Sequence, residues 1–194
     1  MTVLIVGLVL FLGMHSLGFL APAWRARTID RLGQGPWMGI AGLVSLIGFV
    51  LLVWGYGEAR VAPVGIWSPP VWTRHIGLLI MLPVFPLLLA MGLPGRIQSA
   101  VGHPMVTAVI LWAAAHLIAN GNLADIVLFG SFLVWSVADR ISFLYRTPAP
   151  VQGAAPGKYN DLIAVVAGLG LYLAFLFRLH AWMFGVSPLG VAAN

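Results

Sequence analysis

The sequence contains no cysteine. Disulfides, thiolate metal sites, iron–sulfur clusters and a cysteine nucleophile are therefore excluded together. Charge is nearly as scarce: Asp, Glu, Lys and Arg make up 8% of a 194-residue chain that is 61% hydrophobic, and the mean hydropathy is +1.00. No soluble domain with a charged surface has that balance. There is also no long polar stretch in which a separate soluble domain would fit. The acids are five in number, Asp30, Glu58, Asp125, Asp139 and Asp161, and all are expected at helix ends or in loops. Without a buried carboxylate, a proton-coupled carrier or a carboxylate metal site is hard to build.

What is present is apolar and segmented. A bilayer crossing takes roughly 20 apolar residues, so the chain is expected to be an all-α, polytopic membrane bundle of about six transmembrane helices in a single domain, 1–194. The first segment, Thr2 to Ala21, has no basic residue before Arg25 and no cleavage pattern, and reads as a retained helix. Beyond Pro22, a basic loop with Trp24, Arg25, Arg27, Asp30 and Arg31 is expected. The second segment runs from Trp37 to Tyr56, where Gly39, Gly42, Ser45 and Gly48 make a small-residue face suited to close packing. The third, Val71 to Met91, follows a proline- and tryptophan-rich interfacial loop and holds Pro83 and Pro86, so a kink is expected.

Gly92 to His103 reads as a loop or interfacial turn. Pro104 suits the first position of a fourth helix, which ends at the tight turn Asn120-Gly121-Asn122 and leads into a fifth, Leu123 to Ala138. From Asp139 to Asn160 a mobile polar stretch is expected, and from Asp161 to Phe184 a sixth helix. The net charge of +5 is scattered over short loops and does not form a nucleic-acid stripe. Seven of the ten Lys and Arg residues fall in the first, third and fifth connections and three elsewhere, which by the positive-inside rule places both termini on the non-cytoplasmic side.

Two ionisable groups fall inside apolar segments, His15 and His116. Neutral imidazole is the commonest protein ligand for metals and a usual axial ligand of haem iron. The plain alternative for each is a hydrogen bond to a neighbouring carbonyl or hydroxyl. Ala113, Ala114 and Ala115 leave space beside His116, Gly18 lies near His15, and Phe11, Phe19 and Trp112 could flank a ring. At a rise of about 1.5 Å per residue the two histidines differ by roughly 10 Å in depth, although side chains on oppositely running helices lean toward each other. His103 precedes Pro104, where a solvated interfacial role is expected. His75 and His180 fall near the outer ends of their segments, where a surface role is favoured over a propionate contact or a second metal site.

His103-Pro104, the apolar run with Trp112, Ala115-His116 and then Asn120-Gly121-Asn122-Leu123 resemble the signature of the NnrU family, which includes the 15-cis-zeta-carotene isomerases. His15-Ser16 matches the family's early His-Ser pair, and the 13-residue interval from His103 to His116 agrees as well. The resemblance implies haem b held by His15 and His116, with His103 as a further cofactor-binding histidine. It implies a bacterial inner membrane, an association with denitrification, and, for the isomerase relatives, cis–trans isomerisation of an apolar polyene. Gly102 stands where the family usually has arginine. Ala113 stands where the isomerase has a cysteine, so thiolate exchange at the iron is unavailable here. Three functions follow: a redox or sensory haem protein, a haem-dependent polyene isomerase, and a haem-free assembly or carrier protein whose histidines only pack. Beyond the lipid bilayer and a candidate polyene, no partner is implied.

Overall fold

Proline and glycine decide where the helices of this protein break. The computed structural model describes residues 1–146 and 153–190. In chain order it contains α1 (Thr2–Leu20), α2 (Pro22–Leu32), α3 (Gln34–Ala59), α4 (Val71–Met81), α5 (Val84–Ala90), α6 (Arg96–Val101), α7 (Pro104–Ala119), α8 (Leu123–Ser142) and α9 (Asn160–Ala174). A π-helical turn (Phe175–Leu179) and α10 (His180–Phe184) then complete the last helix. Among the described residues the one extended pairing is the isolated bridge between Gly65 and Asn122. Four stretches are long and apolar enough to cross a membrane: Thr2–Leu20, Gln34–Ala59, Val71–Ala90 and Asn160–Phe184. The protein is thus an all-α, multi-pass membrane protein. The apolar α7 is shorter, at 16 residues, and α8 is long but carries Asp125, Asp139 and Arg140.

Two expected loops are helical. The basic segment after Pro22 forms α2, because Pro22 occupies a first-turn position where its missing N–H costs nothing. No breaker follows until Gly33, whose φ of 87° ends the helix. Within Gly92 to His103, Arg96–Val101 makes one short helix. Its capping acceptor comes from far along the chain: the Asp161 carboxylate accepts the backbone N–H of Arg96 at 2.9 Å and of Ile97 at 3.0 Å. Residues 147–152 of the expected mobile stretch lie outside the described residues.

The contacts divide the chain into two compact units, residues 1–68 with 120–146, and 69–119 with 147–194. In the first, α1 packs along α3 at backbone distance. A Cβ at Gly7 would fall on the backbone of Leu52, and one at Gly55 on that of Leu4. The predicted small-residue face is therefore displaced: Gly48 does take part, but Gly39 and Gly42 have no neighbour within 4 Å. Leu4 and Leu8 bury at this seam, at 0% and 5% accessibility.

The acids lie near helix ends as expected, but the expectation of no buried carboxylate fails in this unit, where Asp125 is 3% and Asp139 7% accessible. Each is tolerated because it is satisfied. Asp125 closes a capping box with Asn122 at the start of α8 and accepts the Tyr56 hydroxyl, while Asp139 pairs with Arg146. The adjoining turn is tied down by Leu123 N–H donating to Val64 O at 2.8 Å and Ile66 N–H to Gly121 O at 2.9 Å.

In the second unit the expected kink is a full break at Pro83 between α4 and α5. Leu82 N–H turns to Leu79 O, and the Leu78 carbonyl accepts the Tyr172 hydroxyl of α9 at 3.0 Å. A neighbouring helix thus satisfies the group that the break releases. Val84, Leu87 and Ala108 form the core, wrapped by Met81, Leu88, Ile97, Val101, Leu111 and Trp112.

Candidate functional site

Three histidines hold Nδ1 against a backbone carbonyl, two of them by the same local construction. In α1, His15 Nδ1 lies 2.7 Å from Phe11 O, and in α7, His116 Nδ1 lies 2.8 Å from Trp112 O, in each case the carbonyl four residues back. A carbonyl oxygen only accepts, so Nδ1 carries the proton and the neutral ring has its lone pair on Nε2. His180 reaches the same state by another route, with Nδ1 2.6 Å from Val186 O. That carbonyl returns to the ring because Gly185 adopts the left-handed conformation, φ 71°, and turns the chain back. A backbone carbonyl on Nδ1 is the usual outer-shell partner that fixes the tautomer of a metal-ligating imidazole.

His15 belongs to the first unit, and its ring is exposed. Phe11 packs on it with centroids 4.4 Å apart and Trp135 stands edge-on at 6.2 Å. Beside it opens a cleft of about 350 Å³ lined by Met14, His15, Arg25, Trp37, Gly42 and Ser45. Two of the small residues expected to pack helices, Gly42 and Ser45, instead leave room next to an imidazole. Arg25 lies over Trp37 at 6.0 Å, at the cleft wall. The indole N–H of Trp135 is buried without a hydrogen-bond partner, a costly condition that a ligand acceptor would relieve.

His116 belongs to the second unit and is half-buried. Trp112 flanks it at 5.3 Å, and the His180 ring lies 6.4 Å away with planes inclined by 23°. The alanines expected to leave space beside it are used for packing on at least one side: Ala113 and Ala115 are 0% and 2% accessible, and Ala115 O sits 3.2 Å from where a Cβ on Gly77 of α4 would stand. His103 is half-buried at the opposite end of α7, its carbonyl accepting Thr107 N–H and Oγ1 at 3.1 and 3.0 Å. Thirteen residues of helix separate it from His116 by roughly 20 Å along the axis. The described residues contain no group of three or more His, Cys, Asp or Glu able to hold a metal ion.

Sequence reasoning did not single out Arg25, Trp135 or the pairing of His116 with His180. The first two carry no motif. The third depends on the phase of a π turn, which Phe175-Leu176-Phe177-Arg178-Leu179 does not announce with proline or glycine.

The sequence model of the NnrU protein family matches residues 3–188, which includes both units. No curated protein and no solved structure matches the chain.

Proposed function

The chain belongs to the NnrU family, and on that footing we propose that it is a haem b protein of a bacterial inner membrane, with His15 and His116 as iron ligands, serving nitrogen-oxide metabolism. The observation that carries this reading is the repeated construction at the two histidines, Nδ1 held on the carbonyl four residues back at 2.7 and 2.8 Å, which prepares Nε2 as a metal donor. The cleft beside His15 suits such a group in its remaining chemistry: Arg25 offers a cation for a carboxylate substituent and Trp37 an aromatic wall. Bound haem supplies an iron centre for one-electron or Lewis-acid chemistry. The loop distribution of Lys and Arg supports both termini lying outside the cytoplasm.

The test is the absorption spectrum, oxidised and dithionite-reduced, of detergent-purified protein beside His15→Ala and His116→Ala. We expect a Soret band with sharp reduced bands in the wild type, lost or shifted in both variants. Colourless, haem-free protein from haem-replete cells would overturn the reading.

A second reading, a haem-dependent cis–trans isomerase of an apolar polyene, is favoured by the exposure of His15 beside an open cleft, which a substrate dissolved in lipid could reach. Conversion of 15-cis-zeta-carotene in a carotenoid-producing host would support it. Well-expressed protein that converts none would remove it.

A further inference from the structure

The antiparallel seam of the first unit fixes where α2 stands. Leu4 meets Gly55, Gly7 meets Leu52 and Phe11 meets Gly48, so the end of α1 and the start of α3 lie at the same end of the pair. Both helices are long and apolar enough to cross a membrane, and α2, Pro22–Leu32, is the connection between them. It therefore sits at one bilayer surface, at headgroup level. Trp24 of α2 stands edge-on to Trp37 of α3, with centroids 5.9 Å apart, and tryptophan is a residue of that level.

The helix has two faces. Arg25, Thr28 and Ile29, at i, i+3 and i+4, are half-buried, whereas Trp24, Arg27 and Arg31, at i, i+3 and i+7, are exposed. Arg27 and Arg31 are one turn apart, a spacing at which two side chains meet. Neither has a hydrogen bond, ion pair or ring contact among the described residues, and Asp30 between them pairs with neither. Other arginines spend their charge inside the protein: Arg25 lies over Trp37, Arg60 over Tyr56 and Arg146 over Phe143.

Two guanidinium groups a turn apart can hold one phosphate from both sides, each through paired N–H donors. Trp24, 52% exposed on the same face, adds an apolar surface that a lipid covers and a free phosphate does not. With three arginines against one aspartate in α2, a headgroup of net negative charge is preferred over a zwitterionic one.

We propose that the exposed face of α2 is a docking site for an anionic phospholipid, its phosphate held between Arg27 and Arg31 and its glycerol and upper chain laid against Trp24. The site is on the face of α2 opposite Arg25 and the cleft beside His15. It requires the membrane setting alone and stands whether or not the protein carries haem.

The experiment is native mass spectrometry of the full-length chain in a non-ionic detergent, titrated with phosphatidylglycerol or phosphatidylcholine of matched chains, or with glycerol phosphate. The wild type is expected to take up one phosphatidylglycerol with affinity about tenfold or more above that for phosphatidylcholine. Arg27→Gln/Arg31→Gln should lose this preference, while Arg140→Gln/Lys158→Gln, which removes the same charge elsewhere, should keep it. Arg27→Lys/Arg31→Lys retains the charge without the planar fork and should bind phosphatidylglycerol about threefold or more weaker than the wild type. Circular dichroism checks folding; if the glutamine pair misfolds, the lysine pair decides. A wild type without lipid preference overturns the proposal, as does an equal loss in both charge-removing pairs or a lysine pair equal to the wild type. Glycerol phosphate bound as tightly as the lipid overturns it in favour of a site for free oxyanions.

Discussion

The hydroxyl of Tyr56, near the end of α3, donates to Oδ1 of Asp125 at 2.6 Å, across 69 residues of sequence. Asp125 uses its other oxygen at the start of α8, accepting from the Asn122 side chain at 3.1 Å. One buried carboxylate therefore both begins a helix and fastens it to another. Arg60 lies over the Tyr56 ring at 5.6 Å, so a cation closes this end of the cluster.

Tyr56→Phe is expected to destabilise the folded protein by about 1–3 kcal/mol, the cost of leaving a buried acceptor short of a donor. Asp125→Ala should cost more, because the cap is lost with it. In a double variant the two effects should fall short of their sum. Thermal unfolding in detergent measures all three. Additive losses would show that the bond carries no energy.

At α6 the lever is distant. Asp161→Ala removes the acceptor of two N–H groups and should cost about 0.5–2 kcal/mol. Its local signature is faster hydrogen exchange at Arg96 and Ile97, and Asp161→Asn should show a smaller acceleration. Unchanged exchange in both variants would mean that the short helix does not depend on its cap.

Glycine substitutions separate the seam from the surface. Gly39→Ala meets nothing within 4 Å and removes a poor helix former, so it should be neutral or stabilising by up to about 1 kcal/mol. Gly55→Leu drives a side chain into the backbone of Leu4 and should unfold or aggregate the protein. Equal melting temperatures for the two variants would contradict the backbone-close seam of α1 and α3.

Deleting Leu176 closes the π turn into ordinary α-helix and swings His180 by roughly 100°. The ring contact between His116 and His180 should then be lost, although every histidine remains. Nuclear Overhauser contacts between the two rings measure this, and their retention would show that the π turn does not set the pairing.

Much of the architecture is legible where the chain is punctuated. Pro104 and Asn120-Gly121-Asn122 bracket α7, and its observed bounds, Pro104–Ala119, are those expected. Pro83 marks the break in the third segment. Pro22 misleads, because a proline that ends one helix equally well begins the next. The burial of Asp125 is hidden for a different reason: an acid in a first helical turn normally faces water, and its tyrosine partner lies 69 residues away. The same limit applies to the site. His15 and His116 stand out as charges-in-waiting within apolar runs, whereas His180 gains its neighbour from a helical phase that no residue type signals.

The Asp161 cap also carries an order in time. Ribosomal synthesis delivers residues 96 and 97 long before 161, so α6 emerges with two N–H groups whose acceptor is still 65 and 64 residues away. Both compact units are split in the same manner, each waiting on a later stretch of chain. Residues in the middle of this protein are therefore among the last to be finished. A nascent chain halted before its final helix would present α6 without its cap.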